Sequence, residues 1–132
     1  MSVAVAQRTN RHGIARGHVD IREGSVSRLP FADAMFDLVT AVETHFWWPD
    51  LPADLREVVR VLKPGGHLLL LAEVYKGGKY DQRVQKLIQL TKMVILSVPE
   101  HRALLSNAGC MEVQVVEKYD KGWICGVGRK PL

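Results

Sequence analysis

Three closely spaced segments between residues 24 and 66 decide the fold: residues 24–31 (GSVSRLPF), residues 36–42 (FDLVTAV) and residues 56–66 (REVVRVLKPGG). The middle segment is apolar apart from Asp37 and Thr40, which is the pattern of a parallel strand buried on both faces. The last segment predicts the end of a helix, because Pro64 and the two glycines after it stop a helix and favour a turn. Together the segments predict a strand, a helix and a second strand in an α/β fold.

The helix between the two predicted strands has a recognisable start and an apolar stripe. Asp50 is a suitable N-cap, and Pro52 suits the first helical turn. Apolar residues then recur at helical spacing on one side of the helix: Leu55, Val58, Val59 and Leu62. After the Gly-Gly turn, residues 68–72 (LLLLA) predict a second buried parallel strand.

The flanking segments predict a helix and a strand before this stretch, and two helices and a hairpin after it. Their predicted bounds are residues 2–15 (helix), 19–23 (strand), 81–96 (helix), 100–107 (helix), and 111–119 and 123–128 (strands). Gly17 should end the first helix, and Ser97 with Glu100 has the form of a capping box. Residues 73–80 predict a polar, mobile loop at the carboxyl-end rim of the sheet.

Composition predicts a single globular domain over residues 1–132. Of the 132 residues, 47% are hydrophobic and 24% are charged, and the net charge is +4. We interpret the basic positions as solvated helix faces. For the basic region at residues 76–92 the alternative is a site for an acidic substrate or nucleic acid, although these positions lack the platform of interleaved aromatic residues that single-strand binding uses. No apolar run approaches the ~20 residues of a membrane span.

Cys110 and Cys125 do not form a C-x-x-C pair, and we expect reduced thiols in a cytoplasmic protein.

The order of these motifs resembles that of the class I S-adenosylmethionine-dependent methyltransferases, in particular the small-molecule group similar to methyltransferase type 11. The resemblance is carried by Leu29-Pro30-Phe31, by Phe36-Asp37 and by residues 60–66 (RVLKPGG), and it continues to the C-terminal strand pair. It implies a Rossmann-like sheet with the strand order 3-2-1-4-5-7-6. It also implies S-adenosylmethionine as the cofactor and a small molecule as the methyl acceptor.

The resemblance assigns cofactor-binding positions to Gly24, Ser25, Val26, Glu43 and Thr44. Ser25 takes the place of a residue that accepts a hydrogen bond from the adenine amino group, and Val26 that of a residue that packs on the adenine ring. A serine hydroxyl can accept this bond, although more weakly than the carboxylate that is common there. Without the resemblance, Ser25 would be interpreted as a cap of the following turn.

Residues 43–48 (ETHFWW) directly follow the predicted central strand, and open α/β sheets bind ligands beyond the carboxyl ends of their strands. We expect Glu43 and His45 to be catalytic, as candidate general bases for a hydroxyl or amine nucleophile. The alternative is that the three aromatic residues only cover the core and that His45 is an ordinary surface histidine. No metal is expected, because no H-E-x-x-H or similar spacing occurs.

The family also has a Gly-rich loop and an acidic residue upstream of the matched region, and neither occurs in this sequence. We therefore expect an N-terminally truncated domain that lacks the first two βα units and has impaired activity; Met1 could be an internal methionine of a longer reading frame. The truncation would leave an apolar strand edge at residues 36–42. Either residues 19–23 or a second copy of the chain should cover that edge, so a homo-oligomer is expected.

Two other functions remain open. The chain could be a catalytically silent oligomerisation or partner module that retains half of the methyltransferase fold. A nicotinamide oxidoreductase fits less well, because the phosphate-binding G-x-G-x-x-G spacing is missing and the LPF and LKPGG motifs resemble methyltransferases. Cofactor binding distinguishes the first alternative from an enzyme.

Overall fold

A four-stranded sheet organises the computed structural model, which describes residues 2–132. The strands are β1 (Phe36–Val42), β2 (Leu62–Ala72), β3 (Met111–Lys118) and β4 (Trp123–Arg129). Their order in the sheet is β1-β2-β4-β3, in which β1 and β2 are parallel and β4 is antiparallel to both of its neighbours. This is the 4-5-7-6 part of the implied strand order, so the predicted α/β fold with a C-terminal antiparallel pair is confirmed. The hypothesis that Met1 is an internal methionine of a longer reading frame concerns a residue outside the described residues.

The helices are α1 (Val3–Thr9), α2 (Arg11–Ala15), α3 (Leu51–Val61), α4 (Asp81–Leu90) and α5 (Val98–Asn107), with a 3-10 turn at His45–Trp47. The predicted start of α3 is confirmed, since the Asp50 carboxylate accepts a hydrogen bond from the N–H of Ala53. The capping box of α5 is confirmed as well. The Ser97 hydroxyl accepts from the N–H of Glu100, and the Glu100 carboxylate accepts from the N–H of Ser97.

The prediction of a helix end and a turn at residues 64–66 is only partly right, because α3 already ends at Val61 and residues 62–72 all belong to β2. The register of β2 against β1 jumps from Leu62 beside Phe36 to His67 beside Leu38, so residues 63–66 form an irregular insertion. Gly65 has a φ of 82°, and its N–H donates to the carbonyl of Lys130 over 2.8 Å. Glycine suits this conformation because it lacks a Cβ.

The hydrophobic core lies on one face of the sheet, under α3 and α5. Leu55 of α3, Leu68 and Leu70 of β2, and Leu105 of α5 are all fully buried. Along β1, by contrast, Leu38 and Val42 are 57% and 51% exposed. The prediction that this strand is central and buried on both faces is therefore wrong for the described chain. Strand β1 pairs only with β2 there, so it lies at one side of the sheet, and Ala41 is its one buried residue.

The prediction of a strand over residues 19–23 is wrong. This segment has no regular secondary structure, and just beyond it Ser25 and Arg28 form only an isolated bridge. A strand needs a neighbour for its backbone hydrogen bonds, and the neighbour that the resemblance implies belongs to the upstream part of the fold. The hypothesis that residues 19–23 move beside β1 is also wrong, because β2 is the only strand that pairs with β1 in the described chain.

Two predicted helices are shorter than expected. The helix predicted over residues 2–15 is interrupted at Asn10, whose side-chain amide donates to the carbonyl of Ala6 over 2.8 Å. The helix predicted over residues 81–96 ends at Leu90. In the next segment, the N–H of Val94 donates to the carbonyl of Phe46, so a tertiary backbone contact replaces helical pairing there.

None of the helices described in residues 2–132 is long and apolar enough to cross a membrane.

Cys110 and Cys125 are free thiols, and burial raises the pKa of both. A raised pKa keeps a thiol protonated and unreactive near neutral pH, as expected for structural cysteines.

Candidate functional site

The carboxyl ends of β1 and β2 are joined through Glu43. Its main-chain N–H donates to the carbonyl of Leu71 over 2.8 Å, and its carboxylate accepts from the N–H of Glu73. Glu43 also has a φ of 56°, which costs a residue with a side chain roughly 1–2 kcal/mol. Backbone strain of this kind is concentrated at functional sites, and the carboxylate bond to the next loop helps to hold the strained conformation.

His45 lies two residues further on, but it is buried. It is 2% exposed, and its Nε2 lies 3.0 Å from Nε2 of His101 in α5, which is 1% exposed. The other ring nitrogen of His101, Nδ1, is 2.8 Å from the carbonyl oxygen of Ser97. The segment after β1 is therefore bonded to the first turn of α5 through two histidine rings.

The hydrogen bonds define the tautomers of the two histidines. A carbonyl can only accept, so Nδ1 of His101 carries a proton and, in the neutral ring, Nε2 is an acceptor. Nε2–H of His45 then donates to it, which leaves Nδ1 of His45 as a bare acceptor. That buried atom has no hydrogen-bond partner within the described residues.

Burial keeps both rings neutral. It lowers the pKa of His45 to about 4, with the neighbouring His101 as a second cause, and burial lowers the pKa of His101 as well. A charged imidazole loses its hydration in such a place, which favours the neutral form. The pair is therefore a neutral hydrogen-bonded unit at neutral pH.

The loop after β2 is held by the same turn of α5. The N–H of Lys76 donates to the carbonyl of Leu96 over 3.0 Å, and its ammonium pairs with Glu100 at 2.7 Å. Because His101 follows Glu100, adjacent residues of one helical turn bind the loops after both parallel strands. This arrangement fixes the two loops relative to each other.

The other predicted cofactor residues lie in a loop that is anchored on α3. The Ser25 hydroxyl accepts from the N–H of Ser27 over 3.2 Å, so Ser25 does cap the turn. The Ser27 hydroxyl donates to the buried Asp54 carboxylate over 2.8 Å, and the N–H of Leu29 donates to Glu57 over 2.9 Å. These bonds give the loop a defined position on the helix.

A shallow cavity of about 320 Å³ runs along this loop, and its wall includes Gly24, Ser25 and Val26 together with Ile21 and Phe31. An adenine ring fits such a wall, since Val26 and Ile21 are apolar and the Ser25 hydroxyl retains acceptor capacity for an exocyclic amine. Among the described residues, the wall includes neither Glu43 nor Thr44. The structure thus groups Gly24, Ser25 and Val26 at one place and Glu43, Thr44 and His45 at another.

The aromatic residues of the ETHFWW segment have different environments. Phe46 is 5% exposed and packs with Ala72, Tyr75 and Ile124, so it belongs to the core. Trp48 is partly buried against the main core cluster, whereas Trp47 is 56% exposed. The alternative that these rings cover the core therefore holds for Phe46 and Trp48.

A second cavity, of about 430 Å³, opens at the carboxyl end of β2. The loop after β2, helix α4 and the β3–β4 turn form its wall, with Glu73, Tyr80, Arg83, Lys121 and Trp123 among the lining residues. Sequence reasoning predicted the 73–80 loop at this rim but did not group it with Lys121 and Trp123, because the members of the set are up to 50 residues apart. It also missed His101, since no local pattern pairs that residue with His45.

A sequence profile described as "Methyltransferase domain" matches residues 1–70, which is just over half of the chain. Methyltransferase GfsG of Streptomyces halstedii is 43% identical over 86 residues, which cover 61% of this chain and 31% of that protein. The uncharacterized protein YafE of Escherichia coli is 44% identical over 54 residues, covering 41% of this chain and 26% of that protein. The chain thus spans less than a third of the length of either relative.

Solved structures agree in fold. A SAM-dependent methyltransferase of Thermotoga maritima, titled a possible histamine N-methyltransferase, has a TM-score of 0.72 at 23% identity, over 94% of this chain and 70% of that one. Human N-acetylserotonin methyltransferase in complex with SAM has a TM-score of 0.69 at 22% identity, over 88% of this chain and 35% of that one. Since the profile covers more than half of the sequence and the fold agrees, this chain belongs to the methyltransferase domain family, within the class I S-adenosylmethionine-dependent methyltransferases.

Proposed function

We propose that this chain binds S-adenosylmethionine and supports methyl transfer to a small molecule. The observation that carries the proposal is the position of Glu43, whose strained backbone and carboxylate join the ends of the two parallel strands. Ligands of open α/β sheets bind at such ends. The family match, which includes both Glu43 and the Gly24–Val26 loop, supports the same site.

In this proposal the two groups of residues have different roles. Ser25 and Val26 hold the adenine ring in the cavity of the α3-anchored loop, while Glu43 and Thr44 bind the part of the cofactor nearer the sheet. When bound, the cofactor supplies a methyl group on a sulfonium. The residues of the chain then mainly hold the nucleophile in line with that methyl group and exclude water.

Glu43 and His45, both expected to be catalytic from the sequence, have different proposed roles. Glu43 is exposed, so its carboxylate is available to orient an amine or hydroxyl nucleophile and to accept its proton. His45 is buried against His101. We propose that His45 acts as a positioning residue, which holds the segment that carries Glu43 and Thr44.

Calorimetric titration with S-adenosylhomocysteine tests the cofactor site. We expect saturable binding, and about tenfold weaker binding for Glu43→Gln, a loss of about 1.4 kcal/mol, because the variant lacks the charge that holds the loop. Glu112→Gln is the matched control, since Glu112 pairs with Arg129 at the opposite end of the sheet. A folded protein that binds no ligand at millimolar concentration would refute the proposal and favour the silent partner module.

We also propose that a second copy of the chain covers the edge of β1 that has no neighbouring strand among residues 2–132. The strand contains neither proline nor glycine, Asp37 is its single charge, and it can pair antiparallel with itself. A groove of about 270 Å³ lined by Phe31, Phe36 and Leu38 adjoins the same edge. An apolar edge of this kind is a template for association.

Sedimentation velocity over a concentration series tests the dimer. We expect a concentration-dependent dimer, and at least tenfold weaker association for Leu38→Lys, because a charged side chain on an edge strand opposes pairing. Leu90→Lys is the control, since Leu90 is 82% exposed on α4, away from this edge. A wild-type monomer at every concentration, or equal association of both variants, would contradict the proposal.

A further inference from the structure

We propose that the cavity at the carboxyl end of β2 binds the methyl acceptor and that it selects a small aromatic anion, such as a carboxylate carried on a ring. This inference rests on the proposed function, because it assigns a substrate class to the same reaction. The cavity measures about 430 Å³, which is within the usual range for small-molecule sites.

The position of the cavity connects it to the proposed reaction centre. Glu73, which lines the cavity, donates its main-chain N–H to the carboxylate of Glu43. A molecule in the cavity is therefore adjacent to the loop that holds Glu43. Methyl transfer needs the acceptor and the cofactor side by side. The hydrogen bond between Glu73 and Glu43 places this cavity next to the proposed cofactor residues.

Charge in the cavity favours an anion. Arg83 and Lys121 line it, and neither forms an ion pair within residues 2–132. Among the residues that the structure describes, Glu73 is the one carboxylate in the wall, so this lining carries two cations and one anion. A guanidinium and an ammonium without a carboxylate partner suit a carboxylate or phosphate group of a ligand.

Two aromatic side chains provide a surface for a ring. Tyr80 and Trp123 are 39% and 40% exposed, although large aromatic side chains usually bury more of their area in a folded chain. The Arg83 guanidinium lies 5.6 Å from the centroid of the Tyr80 ring, so the cation and the aromatic face adjoin. A ligand with both a ring and an anionic group can contact both.

Close contacts define one side of the wall. The Tyr75 hydroxyl donates to Glu117 over 2.8 Å, and a Cβ at Gly78 would lie 2.6 Å from the Tyr75 ring. A Cβ at Gly122 would lie 2.7 Å from the Tyr80 ring. The two tyrosines therefore lie closely against glycine backbone, and a larger residue at Gly78 or Gly122 would change this side of the cavity.

Three probes that share one ring and differ in charge test the inference: 4-hydroxyphenylacetate, its neutral amide and the cation tyramine. Binding to the full chain is measured by saturation-transfer NMR and by the shift of the Trp123 indole N–H, without any turnover. We expect the anion to bind at least fivefold more tightly than the amide and the amine to bind most weakly. The double variant Arg83→Gln/Lys121→Gln should lose the preference for the anion.

Lys86→Gln is the control, since it removes a charge one turn further along α4, at a residue that does not line this cavity among those described. It should leave the preference unchanged. Equal binding of the three probes, or an anion preference that survives the double variant, would overturn the inference. Titration with S-adenosylhomocysteine reports separately on the cofactor site, so failure here and failure of the proposed function give different results.

Discussion

At pH 5 the protein should be about 2 kcal/mol less stable than at pH 7.5, because His45 is buried in its neutral form. Its pKa is 6.5 in the unfolded reference and about 4 in the folded protein. Between these values the unfolded chain binds more protons than the folded one, so stability is fully present above pH 6.5 and falls as the pH drops towards 4. The total loss near pH 4 is about 3 kcal/mol, a large share of the 5–15 kcal/mol typical of a folded domain.

Urea denaturation at pH 7.5, 6 and 5 measures this effect. His101 adds to it in the same direction, since its pKa is also lowered. The pKa of Glu57 is lowered from 4.5 to about 2, mainly by its hydrogen bond to Arg60. The stability that Glu57 contributes is therefore lost only below pH 4.5, outside the measured range of pH 5 to 7.5. His45→Gln keeps a donor for His101 but does not titrate, and should therefore show a flatter pH dependence. An equal slope in the variant and the wild type would contradict the assignment.

Leu105→Ala should destabilise the protein by about 2–5 kcal/mol, which is the usual cost of removing a buried leucine side chain. Leu105 is 0% exposed and belongs to the core cluster between α5 and the sheet. It fills the space beside two glycines of β4: a Cβ at Gly126 would lie 3.0 Å from its Cδ1, and a Cβ at Gly128 would lie 3.6 Å from its Cδ2. Because these two glycines have no side chain that could reorient, they cannot fill the cavity that Leu105→Ala would leave.

Chemical denaturation followed by far-UV circular dichroism gives this value directly. Leu90→Ala is the matched control, because the same atoms are removed from a side chain that is 82% exposed. The control should change the free energy of unfolding by less than about 0.5 kcal/mol. Similar losses in the two variants would show that α5 is not packed on β4 as described.

Local sequence signals predicted most of the fold. The apolar strand β1, the Asp50 cap and the Ser97–Glu100 capping box all depend on residues that are close in the chain, and each occurs in the structure. The resemblance added the strand order, which local patterns do not contain. The 4-5-7-6 arrangement is accordingly confirmed.

The wrong predictions share one physical cause. Residues 19–23 alternate like a strand, and residues 91–96 have helical spacing, yet both patterns describe only which side chains are apolar. A backbone becomes a strand when a neighbour pairs with it, and residues 19–23 have no such neighbour in the described chain. Residues 91–96 instead bond to the backbone of Phe46 and Lys76.

For the candidate site, the sequence by itself determined that a polar and aromatic segment follows an apolar strand, and so it determined where Glu43, Thr44 and His45 lie in the fold. Only the tertiary structure decided what each side chain contacts. It buried His45 against His101, bonded Glu43 to the loop after β2, and brought Tyr80, Arg83 and Trp123 around one cavity. The two hydrogen bonds join residues 30 and 56 positions apart, and they form only because strand pairing and core packing bring distant segments together.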